Sequence, residues 1–136
     1  MNATDFVARL SAATNAHDVE AITECFAPEY VNQTPCHPAR GFVGNEQVRR
    51  NWTTILAGVP DLVAEVLGAS VDGDRVWTEW EMRGTQRDGA PHLMRGVVIF
   101  TVPDQRATAA RFFLEPVDQA GDGVDEAVRR AVGGGP

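Results

Sequence analysis

Three side chains in the second half of the chain could exchange protons with a substrate, namely Glu79, His92 and Glu115. If two-residue turns join the strands that carry them, all three lie on one face of a sheet, with Arg111 beside them. A carboxyl group and an imidazole held close together can act as general acid and general base, because each changes the proton affinity of the other. The alternative is that these charges form ordinary cross-strand ion pairs on a solvated or subunit-facing surface.

The position of His92 depends on the length of a single turn. A two-residue turn, Asp88-Gly89, places His92 on the face that carries Glu79. Because side chains alternate between the two faces of a strand, a change of one residue in that turn would move His92 to the mostly apolar face, beside Trp80 and Met82. An isolated polar group in an apolar pocket would be the stronger candidate for a catalytic histidine.

Tyr30, the single tyrosine of the chain, stands two residues before Asn32. In an extended strand both side chains point the same way, so a hydroxyl and an amide would lie together beside the cavity entrance. We expect Tyr30 to take part in catalysis and Asn32 to bind substrate, unless both only satisfy backbone groups of a loop. Large side chains could form the rest of the substrate-binding wall, although tryptophans more often belong to the core. These further candidates are Trp52, Trp80, Met82, Met94 and Phe112.

Several reaction classes lack the residues that they need. The chain contains no lysine, which excludes a Schiff base on a lysine side chain. Its three histidines are dispersed, without metal-ligand spacing, and there is no glycine-rich phosphate loop or serine-centred elbow. The sequence therefore predicts no metal and no cofactor.

Length and charge limit the possible partners. The chain has 136 residues, enough for one domain whose core needs neither disulfides nor metal. A net charge of -7 disfavours nucleic acid and anionic membranes, since both attract basic surfaces. Cys25 and Cys36 lack the spacing of a redox pair, Met1–Asp5 lacks a basic leader, and no segment approaches the ~20 apolar residues of a membrane span. We expect a soluble cytoplasmic protein that binds a small hydrophobic molecule.

Three helices are predicted in the first half of the chain. Apolar residues recur at helical spacing after Thr4 or Asp5, after Asp18 and after Asn45, which we expect to be the N-cap of the third helix. A short strand around Tyr30 lies between the second and third helices. The loop of residues 34–41, with two prolines and a glycine, should border the mouth of a cavity.

The second half of the chain predicts an antiparallel sheet. Residues 61–118 contain four alternating segments joined by short turns. Helices grouped on one side of such a sheet make an α+β domain with a cavity between the layers. We expect the open sheet face to form a homodimer through exposed apolar residues such as Phe100 and Phe113. The composition then changes, so residues 1–118 should form one domain, and residues 119–136 a tail with a short amphipathic helix.

Several short motifs together resemble SnoaL-like proteins of the nuclear transport factor 2-like superfamily, over about residues 5 to 118. They are Tyr30-Val31-Asn32, Gly44-Asn45-Glu46, Val59-Pro60-Asp61-Leu62, Gly73-Asp74-Arg75-Val76, Met82-Arg83-Gly84-Thr85, Arg95-Gly96-Val97 and Leu114-Glu115-Pro116-Val117. The resemblance implies a cone-shaped α+β barrel, with three N-terminal helices packed on a curved antiparallel meander sheet, in a fold that is commonly dimeric.

The resemblance also implies a range of activities. It points to cofactor-free acid/base chemistry, such as cyclisation, isomerisation or dehydration of a hydrophobic carbonyl compound in secondary metabolism. Because the superfamily includes non-enzymes, a ligand-binding or dimerisation module is the alternative. Tyr30 and Asn32 are similar to the pair that positions water in limonene epoxide hydrolases, whereas the positions of those enzymes' Asp-Arg-Asp set hold Met82, Trp80 and Phe112.

Overall fold

The computed structural model describes residues 3–134. Its helices are α1 (Ala3–Asn15), α2 (Val19–Glu24), α3 (Asn45–Gly58) and α4 (Val124–Ala131). Its strands are β1 (Phe26–Gln33), β2 (Phe42–Val43), β3 (Val63–Asp72), β4 (Arg75–Thr85), β5 (Pro91–Thr101) and β6 (Ala107–Pro116). A short 3-10 turn, Pro38–Arg40, lies between β1 and β2.

The six strands form one curved sheet in the order β2-β1-β6-β5-β4-β3. Neighbouring strands from β3 to β6 are antiparallel, as short connections require, whereas β1 runs parallel to β6. The sheet is not closed, because β2 and β3 lie at its two ends. Helices α1 to α3 pack against one face. The predicted α+β fold is therefore confirmed, with one strand, β2, that the sequence did not indicate.

The hydrophobic core lies between the helices and the inner face of the sheet, defined here as the face that carries Trp80 and Phe100. Phe6 of α1, Phe26 of β1 and Phe100 of β5 meet there, with ring centroids 5.1 to 6.4 Å apart. The prediction that Phe100 lies exposed at an interface is wrong. The register of β5 turns this ring into the core, where it is 2% exposed.

The starts of α2 and α3 are built differently. Helix α2 begins at the predicted place, after Asp18, which caps it by accepting the backbone N–H of Ala21 on Oδ1 at 3.0 Å. The predicted N-cap of α3 is wrong, because the cap is Gly44, whose φ of 98° suits a residue without Cβ. Asn45 is instead the first helical residue, and its Nδ2 donates to the carbonyl oxygen of Phe26 at 3.2 Å, which ties α3 to β1.

The turn between β4 and β5 contains three residues rather than two. The backbone N–H of Gln86 donates to the carbonyl oxygen of Ala90 at 2.8 Å and closes the loop. The last loop residue, Gly89, has a φ of 87°, the left-handed conformation typical of three-residue hairpin loops. His92 consequently pairs with Gly84 and lies on the inner face. The predicted two-residue turn, and with it the predicted face of His92, is wrong.

The connection between β5 and β6 differs from its predicted register by one residue as well. Val98 pairs with Phe112 on the inner face. The one-residue difference at the β5–β6 connection cancels the one-residue difference at the β4–β5 turn. Side chains of β4 and β6 therefore share faces as predicted, and only those of β5 lie on the face opposite to the predicted one. Glu79 and Glu115 do share the opposite side of the sheet, the outer face, but the strand between them contributes Arg95 there rather than His92.

The tail carries the short helix α4, which buries none of its residues. Val124, Val128 and Val132 follow one another at four-residue intervals and remain more than half exposed. Neither α4 nor any other helix within residues 3–134 has both the length and the apolar character that crossing a bilayer requires.

Candidate functional site

A cavity of about 350 Å³ lies between α3 and the inner face of the sheet. This volume is in the range of sites that hold small organic molecules. Nine apolar side chains line it, namely Phe26, Phe42, Val48, Trp52, Ile55, Met82, Met94, Phe112 and Leu114. Six polar side chains complete the wall, namely Tyr30, Asn32, Thr34, Arg40, Asn51 and His92. A ligand here would be surrounded mainly by apolar surface, with a few hydrogen-bonding groups to orient it.

The two-residue period of β1 brings Tyr30 and Asn32 to the cavity, and Thr34, directly after the end of the strand, also lines it. The hydroxyl of Tyr30 donates to Oδ1 of Asn32 at 2.7 Å, and Nδ2 of Asn32 donates to Oγ1 of Thr34 at 3.4 Å. Burial raises the pKa of Tyr30 far above its ordinary value, so its hydroxyl stays neutral. Since Oδ1 accepts from Tyr30 and one N–H donates to Thr34, Asn32 has its second N–H to offer an acceptor in the cavity.

His92 is half-buried where the cavity meets a second, open cleft beside the β4–β5 loop. Ile55 of α3 also lines both spaces, and Arg87 of the loop closes one side of the cleft by donating from Nε to the carbonyl oxygen of Ala57 at 2.5 Å. An imidazole in this place can exchange a proton with a ligand in the cavity and with water in the cleft.

Glu115 lies outside the cavity and holds the loop at its mouth. Its Oε1 is 2.6 Å from Nε2 of His37, and its Oε2 is 3.8 Å from Nη1 of Arg40. The side chain projects from the outer face of β6, near the end of the strand. Its closest charged contacts are therefore structural, and the predicted grouping of Glu115 with His92 is not formed.

Glu79 and Trp80 are adjacent in β4 but face opposite sides, and neither lines the cavity. Glu79 is exposed on the outer face. Trp80 is 2% exposed in the core below the cavity, where its Nε1 donates to Oγ1 of Thr78 at 2.7 Å. The other predicted contact residues, Trp52, Met82, Met94 and Phe112, do line the cavity together with Tyr30 and Asn32.

Sequence reasoning missed several lining residues. Asn51 could have been found, because it belongs to the helical stripe Val48, Asn51, Trp52 and Ile55, at spacings of three, one and three. Arg40 lies on the loop that the sequence placed at the cavity mouth, yet nothing in its spacing marked it. Within residues 3–134, no Asp or Glu lines the cavity, and no three His, Cys, Asp or Glu residues are grouped as a metal site.

The family comparison gives a match over most of the chain. A family model described as a SnoaL-like domain matches residues 7–110, which include most of α1, all of α2 and α3, strands β1 to β5 and the start of β6. No curated protein matches the chain.

Solved structures of similar fold include two named as cyclases. IdmH, a putative polyketide cyclase from Streptomyces antibioticus, is 26% identical, with 82% of this chain and 90% of that chain covered and a TM-score of 0.71. A putative polyketide cyclase from Sinorhizobium meliloti is 25% identical, with 82% and 94% covered and a TM-score of 0.64. SalBIII, an epoxide hydrolase/cyclase-like enzyme in pyran ring formation in salinomycin, is 19% identical, with 84% and 89% covered and a TM-score of 0.70. At that identity the likeness to SalBIII concerns the fold alone.

Proposed function

The chain belongs to the SnoaL-like domain family, and on this basis we propose that it is a small-molecule enzyme that carries out cofactor-free acid/base chemistry on a hydrophobic carbonyl compound. The observation that carries the proposal is the apolar cavity that both His92 and the Tyr30–Asn32 pair line. An apolar enclosure strengthens the effect of each polar group on a bound carbonyl, because little water competes for it.

In the proposed reaction His92 acts as the base. Its imidazole takes a proton from the carbon next to the substrate carbonyl, and the electron pair of the broken C–H bond moves to the carbonyl oxygen. The N–H of Asn32 that does not donate to Thr34 binds that oxygen as it becomes negative, while neutral Tyr30 holds the amide in orientation. The enolate carbon then attacks a second carbonyl of the same molecule and closes a ring, and protonated His92 returns the proton to the new alkoxide. Protonation at another carbon would give isomerisation, and loss of hydroxide as water would give dehydration.

The names of similar proteins support cyclisation among these outcomes. IdmH and the Sinorhizobium meliloti protein are both named as putative polyketide cyclases. A polyketide has several carbonyl groups in one molecule, which is what an intramolecular ring closure of this kind needs. We therefore propose a compound with at least two carbonyl groups as the substrate.

A non-catalytic ligand-binding module is the second candidate, and one observation favours it. No carboxylate lines the cavity within residues 3–134, so His92 would act without an acidic partner in the wall. In that case the cavity would hold an apolar ligand through Trp52, Met82 and their neighbours, and no product would form.

Proton exchange with solvent separates the two candidates. Tetralone, an apolar cyclic ketone, serves as the probe in heavy water, with loss of its α-proton signal followed by NMR. We expect wild-type protein to catalyse the exchange and His92→Ala to be slower by at least about 100-fold, as for removal of a general base. Tetralone affinity should change by less than about threefold, because His92 acts mainly on the transition state.

Glu79→Gln is the matched control, because it removes an ionisable group from the adjacent strand on the outer face. Its exchange rate should equal that of wild type. Exchange by His92→Ala at the wild-type rate would remove the role given to His92. Tight tetralone binding by wild type without any exchange would favour the binding module.

We also propose that the protein forms a homodimer through the outer face. Trp77 is 44% exposed there and Val63 41%, among charged side chains, a composition that suits a subunit interface. Sedimentation should give a dimer for wild type and a monomer for Trp77→Arg. A monomeric wild type across the micromolar range would contradict this.

A further inference from the structure

We propose that Arg40 forms an anion-binding subsite at the mouth of the cavity, so that the preferred ligand is an apolar molecule bearing a carboxylate or phosphate group. The inference rests on the proposed function, because the same cavity is taken to hold the apolar part of the ligand. It adds a substrate class that the family match does not specify.

The first support is the charge of the cavity wall. Arg40 lines the cavity, and no Asp or Glu does so within residues 3–134. His92 and Tyr30 are the other ionisable lining residues. The cavity wall therefore carries a permanent positive charge at the mouth and no negative charge. An anionic group on the ligand would supply the missing negative charge.

The second support is the fixed position of the Arg40 backbone. Arg40 ends the 3-10 turn that begins at Pro38, and its N–H donates to the carbonyl oxygen of His37 at 2.9 Å. The 2.6 Å contact between Nε2 of His37 and Oε1 of Glu115 ties this turn to β6. The next residue, Gly41, packs so closely on β1 that an added Cβ would be 3.2 Å from the carbonyl oxygen of Asn32. The guanidinium is thus presented from an anchored turn next to the polar line of β1.

The third support is that Glu115 leaves hydrogen-bonding capacity on Arg40. The closest approach between the two side chains, 3.8 Å from Nη1 to Oε2, is longer than a hydrogen bond. The Arg40 side chain is 61% exposed, so a ligand can reach it from the mouth. A planar guanidinium offers paired donors that match the oxygens of a carboxylate or phosphate.

Because the protein is negatively charged overall, any attraction of an anion by Arg40 acts only close to the cavity mouth. With a net charge of -7, the protein as a whole repels anions at long range. A preference for an anionic ligand must then come from the cavity mouth, and removal of Arg40 should abolish it.

Calorimetric titration of three ligands that share one apolar body tests this inference. Naphthaleneacetate carries a carboxylate, naphthyl phosphate a phosphate, and naphthaleneacetamide is the neutral counterpart of the first. For wild type we expect at least one anion to bind about tenfold or more tightly than the amide, as a charge-assisted hydrogen bond provides. The stronger of the two identifies the natural anionic group.

Two variants test whether Arg40 causes the preference for anions. In Arg40→Gln the anions and the amide should bind within about twofold of one another, while amide affinity stays at the wild-type value and so reports an intact cavity. Arg95→Gln, which removes the same charge from the outer face, should keep the wild-type preference. Equal binding of all three ligands by wild type, no measurable binding of any, or a preference that survives in Arg40→Gln would each overturn the inference.

This test is separate from that of the proposed function. Equal binding of the anions and the amide by wild type, together with proton exchange on tetralone, would reject the role of Arg40 alone. An anion preference without proton exchange would leave the Arg40 subsite standing and reject catalysis.

Discussion

Strands β4 to β6 carry most of their ionisable side chains on the outer face and only His92 on the inner face, yet the cavity lies on the inner face. On the outer face Glu81, Arg95 and Glu115 stand opposite one another across three strands, with Nη2 of Arg95 3.6 Å from Oε1 of Glu81. On the inner face His92 stands among apolar side chains such as Met82. Enclosure by α3, rather than density of charge, marks the candidate active site.

The physical reason is the surroundings of each face. Charges on an exposed surface are solvated and screened, so their effects on one another and on a ligand are small. In a cavity the same groups meet little water, and one polar atom can determine how a ligand is held. A row of charges on a strand is therefore weaker evidence for catalysis than one histidine on an apolar wall.

The largest expected difference between the faces concerns two tryptophans of β4. Trp80→Ala should lower the free energy of unfolding by about 3–5 kcal/mol, because Trp80 is 2% exposed and fills the core. Trp77→Ala should change the free energy of unfolding of the monomer by less than about 1 kcal/mol, since Trp77 is 44% exposed and its ring is covered by Arg75. Chemical denaturation followed by circular dichroism measures both.

A concentration series completes that experiment. The loss in Trp80→Ala should not depend on protein concentration. A loss in Trp77→Ala that grows with concentration would reveal the homodimer interface, and equal losses in both variants at all concentrations would contradict the assignment of the two faces.

The next effect in size concerns Tyr30 at alkaline pH. Its pKa is raised by burial in the folded protein, so the unfolded chain releases this proton first, near the ordinary pKa of about 10. Above that pH the folded state binds more protons than the unfolded state, and stability should fall by about 1.4 kcal/mol per pH unit from this group. Below it, the contribution is fully present.

The absorbance of phenolate near 295 nm measures the ionisation of Tyr30 directly, because Tyr30 is the single tyrosine. The signal should appear together with unfolding and not before it. Tyr30→Phe should lack the added slope of stability against pH. A phenolate signal near pH 10 in folded protein would show that Tyr30 is open to water, as a residue of the outer face would be.

The smallest effect is expected for the outer-face ion pairs. Glu81→Gln removes the partner of Arg95, whose side chain is 55% exposed, and should cost less than about 1 kcal/mol in the monomer. Added salt should reduce even this loss. A loss of more than about 2 kcal/mol in denaturation experiments would mean that these charges are far less solvated than their exposure indicates.

Much of the fold could be predicted because it depends on local patterns. Apolar spacing indicated α1 and the helix after Asp18, and alternation with Asp-Gly turns indicated the meander. The register could not be predicted, because Asp88-Gly89 is compatible with loops of two and of three residues. With a period of two, that single residue decides which face His92 occupies.

The candidate site was predicted in part for the same reason. Tyr30, Asn32 and Trp52 could be named because their own strand or helix orients them. The place of Arg40 depends on a 3-10 turn held by Glu115, which lies 75 residues further along the chain. Contacts between such distant segments leave no pattern in a single sequence.

The register of β4 and β5 decides which side chains face the cavity, and the two methionines of these strands report on it. Met82 and Met94 stand directly opposite each other on the inner face, whereas the alternative two-residue turn would put them on opposite sides of the sheet. In protein labelled at the methionine methyl groups, with Met82→Leu and Met94→Leu for assignment, NMR should show a nuclear Overhauser effect between the two methyl groups and a shift of both on addition of naphthaleneacetamide. The absence of that effect, with a shift of one methyl group alone, would contradict the account.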